Sequence, residues 1–245
     1  MFCPKFAPFL EELAMAKPIV GSMSEWSGLL KDFFRQVDDG SLSLFNLRAF
    51  VGHQNPFDYL VDIDWSETYK VLGMEAEYAE ATKTLKLPER NDPSLWFLPM
   101  AKGVTSNKVV AGHKSLGVNY YLYADDLDAA VPTHDRDPNR DGPYVVGFRR
   151  TVEADEENKD KSANQLAKAN HKGITLPERL LLGAGFYVAT GQHLDVVNWT
   201  LCTGSHDRGG SVPSVYWDSG DRGVFVSWYD PGSHRGCLRS RSVVS

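Results

Sequence analysis

A run of carboxylates at residues 134–142, HDRDPNRDG, has the spacing of a cation-binding loop. Four oxygen-bearing side chains stand at alternate positions: Asp135, Asp137, Asn139 and Asp141. Calcium loops of the helix–loop–helix type use this spacing, but they also need glycine at loop position six and glutamate at position twelve. Arg140 and Val146 stand at those two positions. We therefore expect a polar turn before a strand, and a looser cation site is the alternative.

Thiol and imidazole groups are the other candidates for catalysis or metal binding. Cys3, Cys202 and Cys237 are far apart and odd in number, so they fit neither a disulfide framework nor a zinc site. We expect these cysteines to be reduced thiols. The seven histidines are scattered without the spacing of metal ligands or catalytic triads. From these residues we predict no catalytic site, no metal ion and no cofactor.

Recognition chemistry is concentrated in residues 212–230, VPSVYWDSGDRGVFVSWYD. Side chains alternate with a period of two on both sides of the turn-rich residues 219–223, which predicts two strands joined by a turn. The apolar set would face the core: Val215, Trp217, Val224, Val226 and Trp228. The opposite set would face outwards: Ser214, Tyr216, Asp218, Phe225, Ser227 and Tyr229. Large aromatic rings beside adaptable hydrogen-bonding groups are typical of protein-binding surfaces.

The elements around this strand pair are mixed. Ser22 and Glu25 have the spacing of a capping box, and Thr175 and Glu178 repeat it before a second amphipathic helix. Other helices are predicted at residues 6–16, 64–72, 75–85 and 105–114, and strands at 120–123, 144–152, 196–202 and 238–245. We predict an α+β fold, with a helical N-terminal region over residues 1–92 and a mixed domain over residues 93–245.

Total charge and hydropathy exclude some classes of partner. The chain of 245 residues has a formal net charge of -6, which argues against a general nucleic-acid binder. No apolar run reaches the ~18–20 residues of a membrane span. The first residues, MFCPKFAPFLEELAMAK, lack the basic region and unbroken apolar core of a secretory signal. We therefore expect no membrane span and no signal peptide.

The amino-acid composition changes near residue 201. The last residues of four common types are Met100, Lys172, Glu178 and Gln192. These types make up roughly a sixth to a fifth of globular sequence, so several would be expected near the C-terminus. From Leu201 onwards, arginine is the only type with a permanent positive charge, and aspartate carries all the negative charge. We call residues 201–245 the tail.

The tail resembles the segment that diversity-generating retroelements vary in their target proteins. In that family a reverse transcriptase copies a template repeat with errors at adenines, and the copy replaces the 3′ end of the target gene. Mutated asparagine codons of the AAC or AAT type cannot encode Trp, Met, Lys, Gln or Glu, and the last four types are absent from the tail. Trp217 and Trp228 would then belong to the scaffold.

Several sequence segments resemble one subfamily of these proteins, the variable proteins of uncultivated small-genome microbes and their viruses. They are RTVEADEE at residues 150–157, SANQL at 162–166, ITLPERLL at 174–181, TGQHLD at 190–195, TLCTGS at 200–205, VPSVYW at 212–217 and LRSRSVVS at 238–245. The resemblance is close over residues 90–245 and looser over the N-terminal region. It implies a C-type lectin-like fold whose diversified residues lie on a solvent-facing sheet and its loops. The sugar-binding motifs Glu-Pro-Asn and Gln-Pro-Asp are absent from the tail.

The predicted ligand contacts are tail residues: His206, Arg208, Ser211, Ser214, Tyr216, Asp218, Phe225, Ser227, Tyr229, His234, Arg235 and Cys237. The expected function is non-enzymatic binding of protein ligands by a display or receptor-type protein, located in the cytoplasm or in a virion. One alternative is a structural component of a virion or cell surface, attached through the helical N-terminal region. The other is an oxidase of the formylglycine-generating type, which shares the fold and uses cysteines and copper, with Cys202 and Cys237 as candidates.

Overall fold

In the computed structural model, the chain is an α+β protein, as the sequence predicts. The structure describes residues 22–38, 42, 47, 50–51, 61–86, 92 and 94–244. Its helices are α1 (Met23–Asp38), α2 (Trp65–Val71), α3 (Glu75–Ala81), α4 (Ser106–Ser115), α5 (Leu127–Ala130), α6 (Pro138–Asp141), α7 (Ala163–Lys168) and α8 (Leu176–Thr190). Its strands are β1 (Leu95–Met100), β2 (Asn119–Leu122), β3 (Thr133–His134), β4 (Tyr144–Arg149), β5 (Trp199–Leu201), β6 (Ser205–His206), β7 (Val212–Asp218), β8 (Gly223–Tyr229) and β9 (Leu238–Arg239).

The first described helix, α1, begins at the predicted capping box. The Glu25 amide donates to Ser22 Oγ (3.3 Å), and Glu25 Oε2 accepts from the Ser22 amide (2.6 Å). None of the α1 residues is buried. Its exposed apolar side chains include Trp26, Leu29, Leu30, Phe34 and Val37. The helix predicted at residues 6–16 lies outside the described residues.

A five-stranded sheet forms the centre of the fold, in the order β2-β8-β7-β5-β9. β7 and β8 pair antiparallel over their whole lengths, from Val212 opposite Tyr229 to Asp218 opposite Gly223. β5 joins the other side of β7 antiparallel, while β2 and β9 run parallel to their neighbours β8 and β5. The strand pair predicted for residues 212–230 is confirmed, and it lies inside a wider sheet.

The inner face of this sheet packs on α8. That helix begins with a full capping box between Thr175 and Glu178 and ends at Gly191, whose φ of 73° lies in the left-handed region. Most of its side chains are buried, as expected for a helix surrounded by other elements. Leu180 of α8 and Val215 of β7 belong to one hydrophobic core. The sheet that carries the outer face therefore has a rigid support.

A buried ion cluster fastens the C-terminal end of the chain to the domain. Asp195 accepts hydrogen bonds from Arg179 Nε (2.8 Å) and Arg241 Nη2 (2.7 Å), and Thr200 Oγ1 donates to the same carboxylate. The three charged side chains are almost fully buried. Arg241 also donates to the backbone carbonyls of residues 151 and 152. The cluster ties the last part of the tail to α8 and β5.

Trp228 departs from the predicted core face. It shares a side of β8 with Val226, but 49% of it is exposed, whereas Val226 is buried. Trp228 lies near the end of the strand, beyond the core, and packs on Tyr123 with 4.4 Å between ring centroids. The alternation predicts the correct side of the sheet for Trp228, but the hydrophobic core does not extend as far as this residue.

The shorter strands differ from the prediction in two ways. The terminal strand predicted over residues 238–245 is reduced to β9, and isolated bridges Gly147–Val244 and Gly173–Ser242 hold the residues after it. β1, with the sequence LWFLPM, is not predicted, although it pairs antiparallel with β4 along its whole length. Its side chains are buried on both sides, so they do not show the alternation of a half-buried strand.

Candidate ligand-binding surface

Two of the three carboxylates at residues 134–142 have partners within this segment. Asp137 caps α6 by accepting from the Asn139 amide (2.8 Å), and Asp141 forms an ion pair with Arg140 (2.7 Å). The Arg140 guanidinium, helped by the Asp137 amide, lowers the pKa of Asp141 to about 2. In the described part of the chain, no group of three or more His, Cys, Asp or Glu side chains is placed to hold a metal ion. The segment is a capped polar turn that leads into β4.

Cys202 and Cys237 are free thiols. Cys202 is fully buried, and burial raises the pKa of its thiol, which keeps it protonated at neutral pH. Cys237 is half-buried, directly before β9. Since the thiolate is the nucleophile and the metal ligand, the surroundings of Cys202 favour neither role.

The outer face of the sheet carries one aromatic residue on each of four adjacent strands. The register places Tyr216 of β7 opposite Phe225 of β8, and Phe225 opposite Tyr121 of β2. The β5–β7 register brings Trp199 beside Tyr216. The four side chains therefore form one row across the sheet, which we call the aromatic row: Trp199, Tyr216, Phe225 and Tyr121.

Neighbouring rings in the aromatic row are stacked. Ring centroids are 4.4 Å apart for Trp199–Tyr216, 5.3 Å for Tyr216–Phe225 and 4.5 Å for Phe225–Tyr121. The ring planes are nearly parallel, at angles of 18°, 16° and 17°. These separations match the spacing of about 4.8 Å between adjacent strands. Each ring therefore stands upright on the sheet, with its faces toward its neighbours and one edge toward solvent.

Aromatic packing also supports the opposite side of β7. Trp217 stacks on His193 with 3.5 Å between ring centroids, and His193 stacks on Tyr187 of α8. Burial, and then the nearby His113 and Arg179, lower the pKa of His193 to about 3, so the ring is neutral at physiological pH. The conformation of β7 is fixed from beneath by neutral, stacked rings.

His113 of α4 packs against the same group of rings, in contact with Tyr187 and His193. Its Nδ1 bonds to the Tyr120 hydroxyl (2.8 Å), and burial lowers its pKa to about 4. Its Nε2 has no hydrogen-bond partner among the described residues. It borders a cavity of about 10 Å³, lined also by Arg179, which has room for about one water molecule.

Next to the aromatic row, the outer face carries two small polar side chains and then a further aromatic ring. Ser214 and Ser227 are directly opposite each other, and Tyr229 follows on β8. The Arg235 guanidinium lies over the Tyr229 ring, 5.5 Å from its centroid. Burial raises the pKa of Tyr229, while Arg235 acts in the opposite direction.

Ser214 is placed differently from its prediction as an exposed contact. It is fully buried, and its hydroxyl has no partner among the described residues. The register explains this burial, because Ser214 lies between Leu201 of β5 and Ser227 of β8, with the larger Tyr216 two residues along its strand. A short side chain in the middle of the sheet is covered by its neighbours. As the surface stands, a ligand does not reach it.

The other predicted contacts lie elsewhere than the aromatic row, and His206 belongs to β6 in a separate two-stranded sheet. Asp218 fixes the β7–β8 turn by accepting from the amides of Gly220 (2.8 Å) and Asp221 (3.0 Å), so its carboxylate has a structural task. His234 lies in the loop between β8 and β9, and its Nδ1 is 3.1 Å from Oδ1 of Asp160. The remaining members lie in loops or beside them: His206 and Arg208 are exposed, while Ser211 and Cys237 are half-buried.

Two members of the aromatic row, Tyr121 and Trp199, lie outside the tail and are not among the predicted contacts. Trp199 is close to the tail in sequence, but no alternation extends from it because β5 is only three residues long. Tyr121 joins the row through parallel pairing of β2 with β8, a contact between distant parts of the chain. Parallel pairing has no connecting turn to announce it in a sequence.

Comparisons with protein-family models, with curated proteins and with solved structures find no match to this chain. Among the described residues, no helix combines the length and the apolar character needed to cross a membrane. The residues of the outer face are therefore the basis on which a function is assigned.

Proposed function

We propose that this protein is a non-enzymatic ligand-binding protein that recognises other proteins through the outer face of its sheet. The observation that carries the proposal is the convergence of tail residues on that face: Tyr216, Phe225, Ser227, Tyr229 and Arg235. The rings offer large contact area with few rotatable bonds, and serine and arginine offer adaptable hydrogen bonds. Because these side chains stand on paired strands over a buried core, little order has to be gained on binding.

The proposal includes diversification of the tail by a retroelement, on a C-type lectin-like domain over residues 93–245. Its support is the tail composition together with the two sides of β7. Ser214, Tyr216 and Asp218 belong to types that mutated asparagine codons encode, and they alternate with Val215 and Trp217. The ends of the tail are anchored, by burial of Leu201 and by the ion cluster at Arg241. Exposed residues between such anchors can vary without loosening the support.

A structural component of a virion or cell surface is a second candidate, and α1 favours it. Five apolar residues recur there at helical spacing and are exposed: Trp26, Leu29, Leu30, Phe34 and Val37. An apolar stripe of this kind is typical of a helix that another helix or a groove covers. In this candidate α1 attaches the protein to a larger assembly, while the outer face binds the ligand.

The oxidase alternative has less support from the geometry. Catalysis by a cysteine needs an accessible thiolate. Cys202 is fully buried, and burial raises the pKa of its thiol. Retained copper after chelation, or turnover lost in Cys202→Ser, is the result that would favour the oxidase.

Binding through the outer face is tested with peptides selected from a random linear library on the full-length wild-type chain. Tyr216→Ala combined with Tyr229→Ala is expected to weaken the selected peptides more than about tenfold, because buried rings dominate such interfaces. Trp228→Ala is the matched control, since it removes a half-exposed ring from the other side of β8. Affinities are measured by titration calorimetry. Unchanged affinity in a normally folded double variant rules this surface out.

Diversification is tested in the genome that encodes the chain. The expected finding is a neighbouring reverse-transcriptase gene with a near-copy of the 3′ end of this gene that differs mainly at adenines. If sequencing of the neighbourhood shows neither feature, active diversification is excluded, while a fixed binding surface remains possible on the same residues.

A further inference from the structure

Half of the aromatic row comes from outside the tail, and its outermost ring is well placed to meet a partner. Tyr121 lies on the edge strand β2 and is 44% exposed. It stacks on Phe225 with 4.5 Å between centroids, and its hydroxyl donates to the carbonyl of Asp221 (3.3 Å) in the β7–β8 turn. Tyr121 therefore extends the surface formed by the tail by one full strand.

Gly223 makes this position of Tyr121 possible. A Cβ atom at residue 223 would lie 2.5 Å from Cε2 and 2.8 Å from Cδ2 of the Tyr121 ring. Such distances are shorter than van der Waals contact, so any larger residue at this position displaces the ring from Phe225. The absence of a side chain at Gly223 is thus a positioning feature of the aromatic row, and it offers a way to disturb the row without deleting a ring.

The orientation of the rings restricts the kind of ligand that the row can bind. Sugars and nucleobases recognised by aromatic residues stack on ring faces. In the aromatic row both faces of Tyr216 and Phe225 are already stacked on neighbouring rings, as is one face each of Trp199 and Tyr121. The edges that remain carry partial positive charge and favour oxygen atoms and apolar side chains. A polypeptide offers both groups at short intervals.

A positive charge at the other end of the outer face also favours a polypeptide ligand. Arg235 is exposed over the Tyr229 ring and forms no ion pair within the described residues. Asp218, by contrast, holds the β7–β8 turn, because its Oδ1 accepts hydrogen bonds from the amides of Gly220 and Asp221. A partner that places a carboxylate near Arg235 therefore meets an exposed guanidinium without an ion-pair partner among the described residues.

We infer that the outer face binds an extended polypeptide segment edge-on, with apolar side chains over the aromatic row and a carboxylate at Arg235, and that Tyr121 is a contact residue of this interface. This inference rests on the proposed function and specifies its ligand. The row spans roughly 14 Å, which about four residues of an extended chain cover. A segment of that length, rather than a large flat surface, matches the size of the row.

The test uses the full-length chain and peptides selected on it from a random linear library. Tyr121→Ala is expected to weaken the selected peptides about tenfold, whereas Tyr121→Phe keeps the ring edge and stays within about twofold of wild type. Gly223→Ala is expected to match Tyr121→Ala. Adding Gly223→Ala to Tyr121→Ala should cause no further loss, because the glycine acts only through the ring. Arg235→Gln is expected to lower both the affinity and its dependence on salt.

The outcomes separate this inference from the proposed function. Loss of binding in Tyr216→Ala with Tyr229→Ala, but not in Tyr121→Ala, leaves the proposed function standing and overturns the inference. No loss in any of these variants overturns both. Methyl α-mannoside, N-acetylglucosamine and oligodeoxythymidine are tested in parallel; binding of any of them that Tyr121→Ala abolishes overturns the polypeptide ligand, as does a library that yields no binder. Thermal unfolding confirms that each variant is folded.

Discussion

At the scale of single residues, the interior holds ionisable groups in neutral or paired form. Asp195 is paired with Arg179 and Arg241, and none of the three is exposed to solvent. For His113 and His193, burial is the main reason that their pKa values fall to about 4 and about 3. Arg179 is a neighbouring cation that opposes protonation of both rings. These differences give the stability of the protein a defined dependence on pH.

Stability is expected to fall as the pH drops below about 6.5, the ordinary pKa of histidine. The unfolded chain then binds protons that folded His113 and His193 do not bind until pH about 4 and about 3. The contribution is thus fully present above pH 6.5 and is lost progressively toward pH 4. Thermal unfolding between pH 7 and pH 5 measures it, before carboxylates with ordinary pKa values near 4 protonate.

A matched variant separates the histidines from other titrating groups. His113→Gln combined with His193→Gln replaces both rings by side chains that stay neutral at every pH. Its unfolding temperature should change less between pH 7 and pH 5 than that of the wild type, even if it is lower throughout. An equal slope in the two proteins contradicts the assignment.

At the scale of elements, the two sides of the β7–β8 pair have different requirements. Val215 and Val226 are opposite each other and buried in the core, so their size and shape are constrained. Ser227 and Tyr229 lie on the other side and are partly exposed. The pair therefore combines buried positions whose side chains are constrained with exposed positions, such as Ser227, at which substitution has little structural effect.

Val215→Ala is expected to lower the free energy of unfolding by about 2 kcal/mol, because it leaves a cavity under the aromatic row. Ser227→Ala, one strand away on the outer face, should change it by less than about 0.5 kcal/mol. Urea denaturation of both variants gives the comparison. A loss in Ser227→Ala as large as that in Val215→Ala contradicts the division between supporting and exposed positions.

The same elements show how far sequence reasoning reaches. Strict alternation predicts β7 and β8 because it fixes both the period and the side of each residue. Alternation does not show how deeply each side chain is buried. Ser214 on the outer side is buried, while Trp228 on the inner side is half-exposed. It also does not give the neighbours of a strand, since the parallel pairing with β2 depends on residues far away in the chain. For this reason the sequence does not predict Tyr121 as a contact.

At the scale of the whole molecule, α1 differs from the rest of the described chain. None of its residues is buried and most of its apolar side chains are exposed, whereas α2 and α8 place apolar side chains in the core. Helices of this length gain most of their stability from tertiary packing or from a partner. With none of its residues buried, the helix contributes little to the stability of the other described elements.

Leu30→Ser combined with Phe34→Ser is expected to change the free energy of unfolding by less than about 0.5 kcal/mol, since both side chains are exposed. Tyr69→Ala is the matched control from α2, because Tyr69 is fully buried, and it should cost about 3–5 kcal/mol. Chemical denaturation measures both. A clear loss of stability in the α1 variant would show that this helix packs on the domain.

The stacked geometry of the aromatic row has an optical consequence. Tyr216 lies against Trp199 with 4.4 Å between ring centroids. At this distance the excitation energy of the Tyr216 phenol is transferred to the Trp199 indole. Phe225 and Tyr121 continue the stack, and coupling among the rings adds to the near-ultraviolet circular dichroism of the folded chain. A ligand that tilts one ring changes this coupling, whereas a ligand bound elsewhere leaves it unaltered. If the outer face binds a ligand as proposed, the intrinsic spectrum of its rings reports the occupancy without an added label.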